Sequence, residues 1–305
     1  MLEVQINQVH PKATKFFTDL IFETFGAAVI RNGQGGVCDI QINGVRMSQQ
    51  RILFEKIKAS FGRDFRHMPP ELMYQSGEIA PNRKARMNVW YTGENIRPPL
   101  HLDYDYFLSF DQDDFGGRNV YFPLWYLDYD WGFGEKFRQR IGLDIKADEL
   151  SNPRRLINER SGFACAFIGH LHPIRFEAVR QLAEIGKVDV FGKSVGKPVA
   201  SKYSIASKYK YTICFENDIY PGYVTEKLLD AYYCDTVPIY WGDLGLQDVI
   251  NNGSHLNLHD FSTLDLFKEK IASIKDTDYG ALHNQAFLNR LPDLTQLKDL
   301  LVNAV

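Results

Sequence analysis

Between Phe163 and Trp241 the sequence alternates short apolar runs with amphipathic stretches, and few folds accommodate that rhythm. Phe163 to Ile168 reads as a buried strand, and Pro173 to Ile185 as a helix with proline in its first turn and Gly186 at its end. Lys187 to Phe191 is the next strand. A loop rich in Gly, Lys and Ser leads to Tyr211 to Phe215, then a helix over Thr225 to Tyr233 and a strand over Val237 to Trp241. Neighbouring parallel strands need a crossover of about a dozen residues, so this β-α-β-loop-β-α-β series predicts a parallel sheet with helices on its faces.

The first half alternates less cleanly. Lys12 to Phe25 sets Phe16, Phe17, Leu20, Ile21, Thr24 and Phe25 on one side at helical spacing, and Gly26 stops the helix. Cys38 to Ile42, Met87 to Tyr91 and Tyr106 to Phe110 read as strands. The polar stretch Lys146 to Arg160 lacks a sustained apolar pattern and is the expected boundary, giving α/β domains over 1–155 and 156–305 with a cleft between them. From Ser262 on the chain reads as helices, which pack on the second domain or back on the first.

Composition removes several function classes. A formal charge of -3, with Lys and Arg scattered along 305 residues, disfavours a nucleic-acid partner. No run approaches the about 18 apolar residues of a spanning helix, and Glu3 and Asn7 stand where a secretion signal needs an apolar core, so a cytoplasmic protein is expected. Cys38, Cys165, Cys214 and Cys234 are widely spaced and form no CxxC pair, which implies neither a zinc site nor a disulfide framework.

Ligands of open parallel sheets gather at the carboxyl ends of strands, where helix amino termini present unpaired N–H groups. Phe215-Glu216-Asn217 occupies such an end. Pro221-Gly222 makes a turn, Thr225 caps a helix, and Glu226 and Lys227 lie in its first turn. These residues alone fit two descriptions equally: Lys227 as a diphosphate ligand, or a surface lysine beside a first-turn acid that stabilises the helix dipole.

The whole segment Tyr209 to Gly242, YKYTICFENDIYPGYVTEKLLDAYYCDTVPIYWG, strongly resembles the signature of the α-1,3/1,4-fucosyltransferases, glycosyltransferase family ten, of bacterial type. The resemblance implies an α/β protein of GT-B type, two Rossmann-like domains facing each other across a cleft, with GDP-fucose held by the second. It implies that Asn217 and Tyr223, with Val224 and Thr225 beside them, contact the donor. Glu226 then faces the positive charge developing on the sugar, and Lys227 binds the diphosphate. His172-Pro173-Ile174-Arg175 fits a second family element, an arginine at the start of the helix after the first donor-domain strand, and a guanidinium grips phosphate oxygens bidentately. The family usually carries a Ser-Asn pair shortly before that arginine. This chain has Ile168-Gly169-His170 instead, which withdraws support for donor contacts from that loop.

In the first half Trp90-Tyr91-Thr92-Gly93-Glu94-Asn95 leaves a strand and turns. Taken alone, Glu94 is a solvated loop charge. A similar element in bacterial fucosyltransferases supplies the catalytic base, so the resemblance, running from about Met87 to Gly242, implies that role for Glu94. A sugar hydroxyl needs such a base during attack, whereas GDP leaves as a stable anion. Attack opposite the leaving group inverts the anomeric carbon, turning a β-linked donor into an α-linked product, and the resemblance implies an acceptor hydroxyl on N-acetylglucosamine or glucose of a lactosamine-type glycan, as in Lewis antigens. No metal cofactor is implied, and membrane contact is at most peripheral. Aromatics from Tyr121 to Trp131 are read as core, with an acceptor platform as the lesser alternative. Other readings stand beside this one, among them a transferase that uses another nucleotide-sugar donor. Asp103 with Asp105, or Asp128 with Asp130, could hold a divalent cation in a metal-dependent transferase; or the chain binds sugar nucleotides without turnover.

Overall fold

The computed structural model describes residues 1–45, 79–129, 131–133, 147–154, 160–169, 172–242, 248–274 and 276–303. The domain boundary expected at 155/156 lies outside them, as do Asp130 and His170. Two compact units emerge, one holding Met1–Leu127 and the stretch from Asp293, the other the second sheet and running to Pro292.

In the first unit, six described strands, β1 (Leu2–Asn7), β2 (Ala28–Asn32), β3 (Cys38–Asn43), β4 (Ala85–Tyr91), β5 (Tyr106–Ser109) and β6 (Asn119–Tyr121), form one sheet in the order β2-β1-β3-β4-β5-β6. Every pair is parallel. The α1 helix (Pro11–Phe25) links β1 to β2 and buries Ala13, Phe16, Phe17, Leu20 and Ile21. Gly26, at φ +71°, closes the helix by donating to the Phe22 carbonyl, a conformation a side chain would oppose. Phe122 packs against Phe16 at 5.2 Å and Phe17 at 5.7 Å, and Phe17 meets Tyr91 edge-on at 5.1 Å. Phe122, Trp125 and Tyr126 are therefore core side chains.

Alternate residues on β1, β3 and β4 are polar yet buried: Gln5, Gln41, Asn43 and Asn88. Buried amides need partners. Gln41 Nε2 donates to the Gly33 carbonyl at 3.1 Å, Asn82 Nδ2 to Gln41 Oε1 at 3.2 Å, and the Asn82 amide to Asn88 Oδ1 at 2.7 Å.

The second unit repeats the plan. β7 (Gly162–Phe167), α2 (Pro173–Leu182), β8 (Val188–Phe191), β9 (Tyr209–Phe215), α3 (Glu226–Tyr233), β10 (Val237–Trp241) and β11 (Leu256–Asn257) give a parallel sheet ordered β11-β10-β9-β7-β8. Helices α4 (Leu264–Ser273) and α5 (Asp276–His283) follow. Successive strands are added on one side of β7 (β8) and then on the other (β9, β10, β11), so the switch point lies between β7 and β9, and the crevice beyond their carboxyl ends is where ligands of such sheets bind. Ala164, Ala166, Ile213, Val237 and Ile239 of the sheet pack with Ala178 and Leu182 of α2 and Phe267 and Ile271 of α4 in one apolar core. The final helix, α6 (Thr295–Val302), buries Leu297, Leu300 and Leu301 and packs on α1 in the first unit.

One local expectation changes. α2 ends at Leu182, and Ala183 to Ile185 continue as turns, so Gly186 is no helix cap; a Cβ there would run into the Phe163 ring. The polar stretch around Arg154 is tied into the second unit: its guanidinium donates to the carbonyls of Tyr232, Thr236 and His283 and lies 3.8 Å from the Tyr232 ring centre. Among the described residues no helix is long and apolar enough to cross a membrane.

Candidate active site

The site grows from the last residues of β9 and the first turn of α3. Gly222, at φ +82°, turns the chain, and Thr225 in an extended conformation begins the helix as its cap. Tyr223, Val224, Thr225 and Glu226 are all buried, and Asn217 is exposed. Beneath them lies Glu216, with no exposed surface at all.

A buried carboxylate is costly unless its oxygens receive hydrogen bonds and a countercharge. Glu216 has both. Oε1 accepts from the Thr225 amide at 2.7 Å and from the Tyr240 hydroxyl of β10 at 3.3 Å. Oε2 accepts from the Thr225 hydroxyl at 2.7 Å and from Lys227 Nζ at 2.8 Å. Lys227 also donates to Thr225 Oγ1 at 2.9 Å. Burial by itself would lower the lysine pKa; the carboxylates of Glu216 and Glu226 outweigh it and raise the value above the ordinary one, with Arg175 opposing.

Arg175 reaches the same loop from α2. His172 caps that helix through Nδ1, which accepts the Ile174 amide at 3.3 Å, and this sets the turn that aims the guanidinium. Arg175 Nη2 donates to the carbonyls of Phe215 at 3.0 Å and Glu216 at 3.1 Å and to Asn217 Oδ1 at 2.8 Å. It is buried, which lowers its pKa, with Glu216 and Tyr223 opposing. Arg175, Asn217, Thr225 and Lys227 thus converge on one loop at the switch point of the second sheet. Beyond Glu226 in the first turn, the residue that organises them is Glu216, which the sequence reading passed over.

Glu94 belongs to the other unit. It sits in the turn after β4, exposed, and its amide donates to Thr92 Oγ1 at 3.1 Å while its carbonyl accepts the same hydroxyl at 3.0 Å. The Ile96 amide bonds the Glu94 carbonyl at 2.6 Å. Buried Asp111 forms an ion pair with Arg97 two residues after Asn95. Of the alternative acidic pairs, Asp103 is exposed and Asp105 Oδ2 accepts the Asn88 amide at 2.7 Å.

Two family models match the chain: the C-terminal model of glycosyltransferase family 10 (fucosyltransferase) over residues 157–283, and the N-terminal domain of alpha-(1,3)-fucosyltransferase FucT over 42–129. Together they take in well over half of the sequence. The chain belongs to glycosyltransferase family 10. The family-10 C-terminal match contains Arg175, Asn217, Tyr223, Val224, Thr225, Glu226 and Lys227, and the N-terminal match contains Glu94.

Alpha-(1,3)-fucosyltransferase FucT of Helicobacter pylori is 31% identical over 226 residues, which is 67% of this chain and 46% of that protein. Human alpha-(1,3)-fucosyltransferase 7 is 35% identical over 72 residues, 23% of this chain and 21% of that one. The chain therefore spans less than half the length of these curated relatives. Among solved structures, an alpha1,3-fucosyltransferase crystallised with GDP-fucose superposes with a TM-score of 0.66 at 22% identity, covering 99% of this chain and 90% of that one. At that identity the likeness is one of fold: the α/β architecture of GT-B type expected from the sequence.

Proposed function

We propose that this family-10 chain transfers L-fucose from GDP-β-L-fucose, with inversion, to a 3- or 4-hydroxyl of N-acetylglucosamine or glucose in a lactosamine-type glycan, the chemistry of Lewis antigen synthesis. The observation that carries the reading is the pair of cations, Arg175 and Lys227, held on one loop at the switch point of the second sheet. A diphosphate bears negative charge that grows as the glycosidic bond breaks, and two fixed cations stabilise that growth. Glu226 faces the sugar carbon as it becomes cationic. Asn217, Tyr223, Val224 and Thr225 complete the donor segment, and Glu94 takes the acceptor proton. With Arg175 and Lys227 offsetting the diphosphate, no divalent metal is required.

The test is incubation with GDP-fucose and a lactosamine-type acceptor, following GDP release and fucosylated product and reading the new linkage by NMR. An α-linkage formed equally well in EDTA is expected. Binding of GDP-fucose without product would replace this proposal by a non-catalytic one, and a β-linkage would exclude inversion.

A further inference from the structure

We infer that Glu216 is a positioning residue for the donor diphosphate, its main-chain oxygen fixing Arg175 and its carboxylate fixing Lys227, so that one residue sets where both cations stand and its side chain acts through the lysine. The inference deepens the donor reading above and rests on it. The same carboxylate also bonds the amide and hydroxyl of Thr225, so the start of α3 and the lysine within its first turn are held by a single anchor. Glu216 has no exposed surface and Lys227 only a fraction of its own, so the pair lies beneath the loop, and the carboxylate serves the ligand only through the residues it holds.

An acid under a phosphate-binding loop is at first sight the wrong charge. Its use becomes plain from what the two cations need before a ligand arrives. Lys227 and Arg175 repel each other, and burial disfavours the charged lysine. Glu216 offsets both effects. The charged and titratable groups around Lys227 are Glu216 at the end of β9, Glu226 on α3, Arg175 on α2, Cys214 on β9 and, through Glu216, Tyr240 on β10. Of these, Glu216 bonds the ammonium directly.

The test compares GDP binding by calorimetry, from neutral to alkaline pH, in the full chain and in Glu216→Gln, Lys227→Met and the double variant. Glutamine keeps the shape and can still accept from Thr225, but it carries no charge. Glu216→Gln should weaken GDP binding about 10- to 100-fold, the range equivalent to one charge-assisted hydrogen bond. Its affinity should also begin to fall at lower pH than in the wild type, because the lysine has lost the neighbour that keeps it protonated. The double variant should bind GDP as Lys227→Met does, since the acid acts through the lysine.

A purely structural acid would lower thermal stability and leave the alkaline limb of binding where it was, and that result overturns the inference. So does a double variant that binds clearly more weakly than Lys227→Met. That second comparison decides the matter alone if Glu216→Gln fails to fold, because the double variant leaves no buried lysine without its counterion. A wild type that takes up no GDP overturns the donor reading and this inference together, whereas wild-type binding matched by Glu216→Gln overturns this inference only.

Discussion

Replacing Thr225 by valine removes one hydroxyl and little else, and the structure allows its cost to be worked out. The hydroxyl caps α3, but its distance from the Lys227 amide is 3.5 Å, so the cap falls at the weak end of the usual range, about 0.5–1 kcal/mol. It also donates to the Glu216 carboxylate at 2.7 Å, a bond to a charged group of about 1.5–3 kcal/mol. Glu216 keeps the Thr225 amide, Lys227 and Tyr240 as donors, so the lower half of that range applies. The sum is about 2–3 kcal/mol. Amide hydrogen exchange in rising urea, read on β9, α3 and β10, measures this loss for the second unit without assuming that both units unfold together. Thr225→Ser retains the hydroxyl and should lose less than about 1 kcal/mol, the value of one methyl group. A valine variant that loses under about 0.5 kcal/mol, or a serine variant as weak as valine, would refute the assignment of this hydroxyl.

Three further outcomes are expected. Glu94→Gln should leave GDP affinity unchanged by calorimetry and cut turnover about 100- to 10,000-fold; retention of most activity removes Glu94 as the base. His255 and His283 are buried, and burial depresses both imidazoles to about 4, with Arg154 and Arg160 adding to it at His283 even though its Nε2 lies 3.0 Å from Asp235. The unfolded chain then binds more protons than the folded one below about pH 6.5, so stability is complete above that pH and declines toward pH 4, by on the order of 3 kcal/mol per ring. A Tm independent of pH over this window contradicts it. Gly192→Ala places a side chain at φ +123° against the Ile168 carbonyl and should cost at least about 1–3 kcal/mol by thermal denaturation. Gly196→Ala, at φ +70° in open space, should cost about 1 kcal/mol; equal losses would mean that crowding at Ile168 does not matter.

Four strands of the second sheet are legible because they are largely apolar, despite Asp189 in β8 and Lys210 in β9: the reading places β10 to the residue and β7, β8 and β9 within two, and misses only the two-residue β11. Even Pro238, which has no N–H to give a ladder, did not mislead, since β11 pairs with β10 only from Ile239 onward. In the first sheet the sequence reading misses β1, β2 and the three-residue β6. β1 reads Leu-Glu-Val-Gln-Ile-Asn, an alternation that suggests one wet face, yet Gln5 is buried, its main-chain carbonyl accepting from Gln41 Nε2, which belongs to the bonded amides of Gln41, Asn82 and Asn88 beside it. Hydrophobic pattern cannot report a face that is dry because its amides bond one another. Arg175, Asn217 and Lys227 were legible as donor-site candidates from charge and family signature, and they do meet on one loop. Glu216 was not, for in sequence it is an acid at the end of a strand. Its signal lay in the neighbours: a lysine destined for partial burial in the first turn of α3 requires a counterion, and the adjacent apolar strand ends in one.

Arginine side chains ordinarily carry about 2 kcal/mol of rotamer entropy, which is lost when they close on a ligand. Arg175 is tied by two main-chain oxygens at the end of β9, so its guanidinium gives up that freedom when the domain folds. A diphosphate bound as proposed would meet a charge already standing still, and more of the attraction between them would be left to appear as affinity.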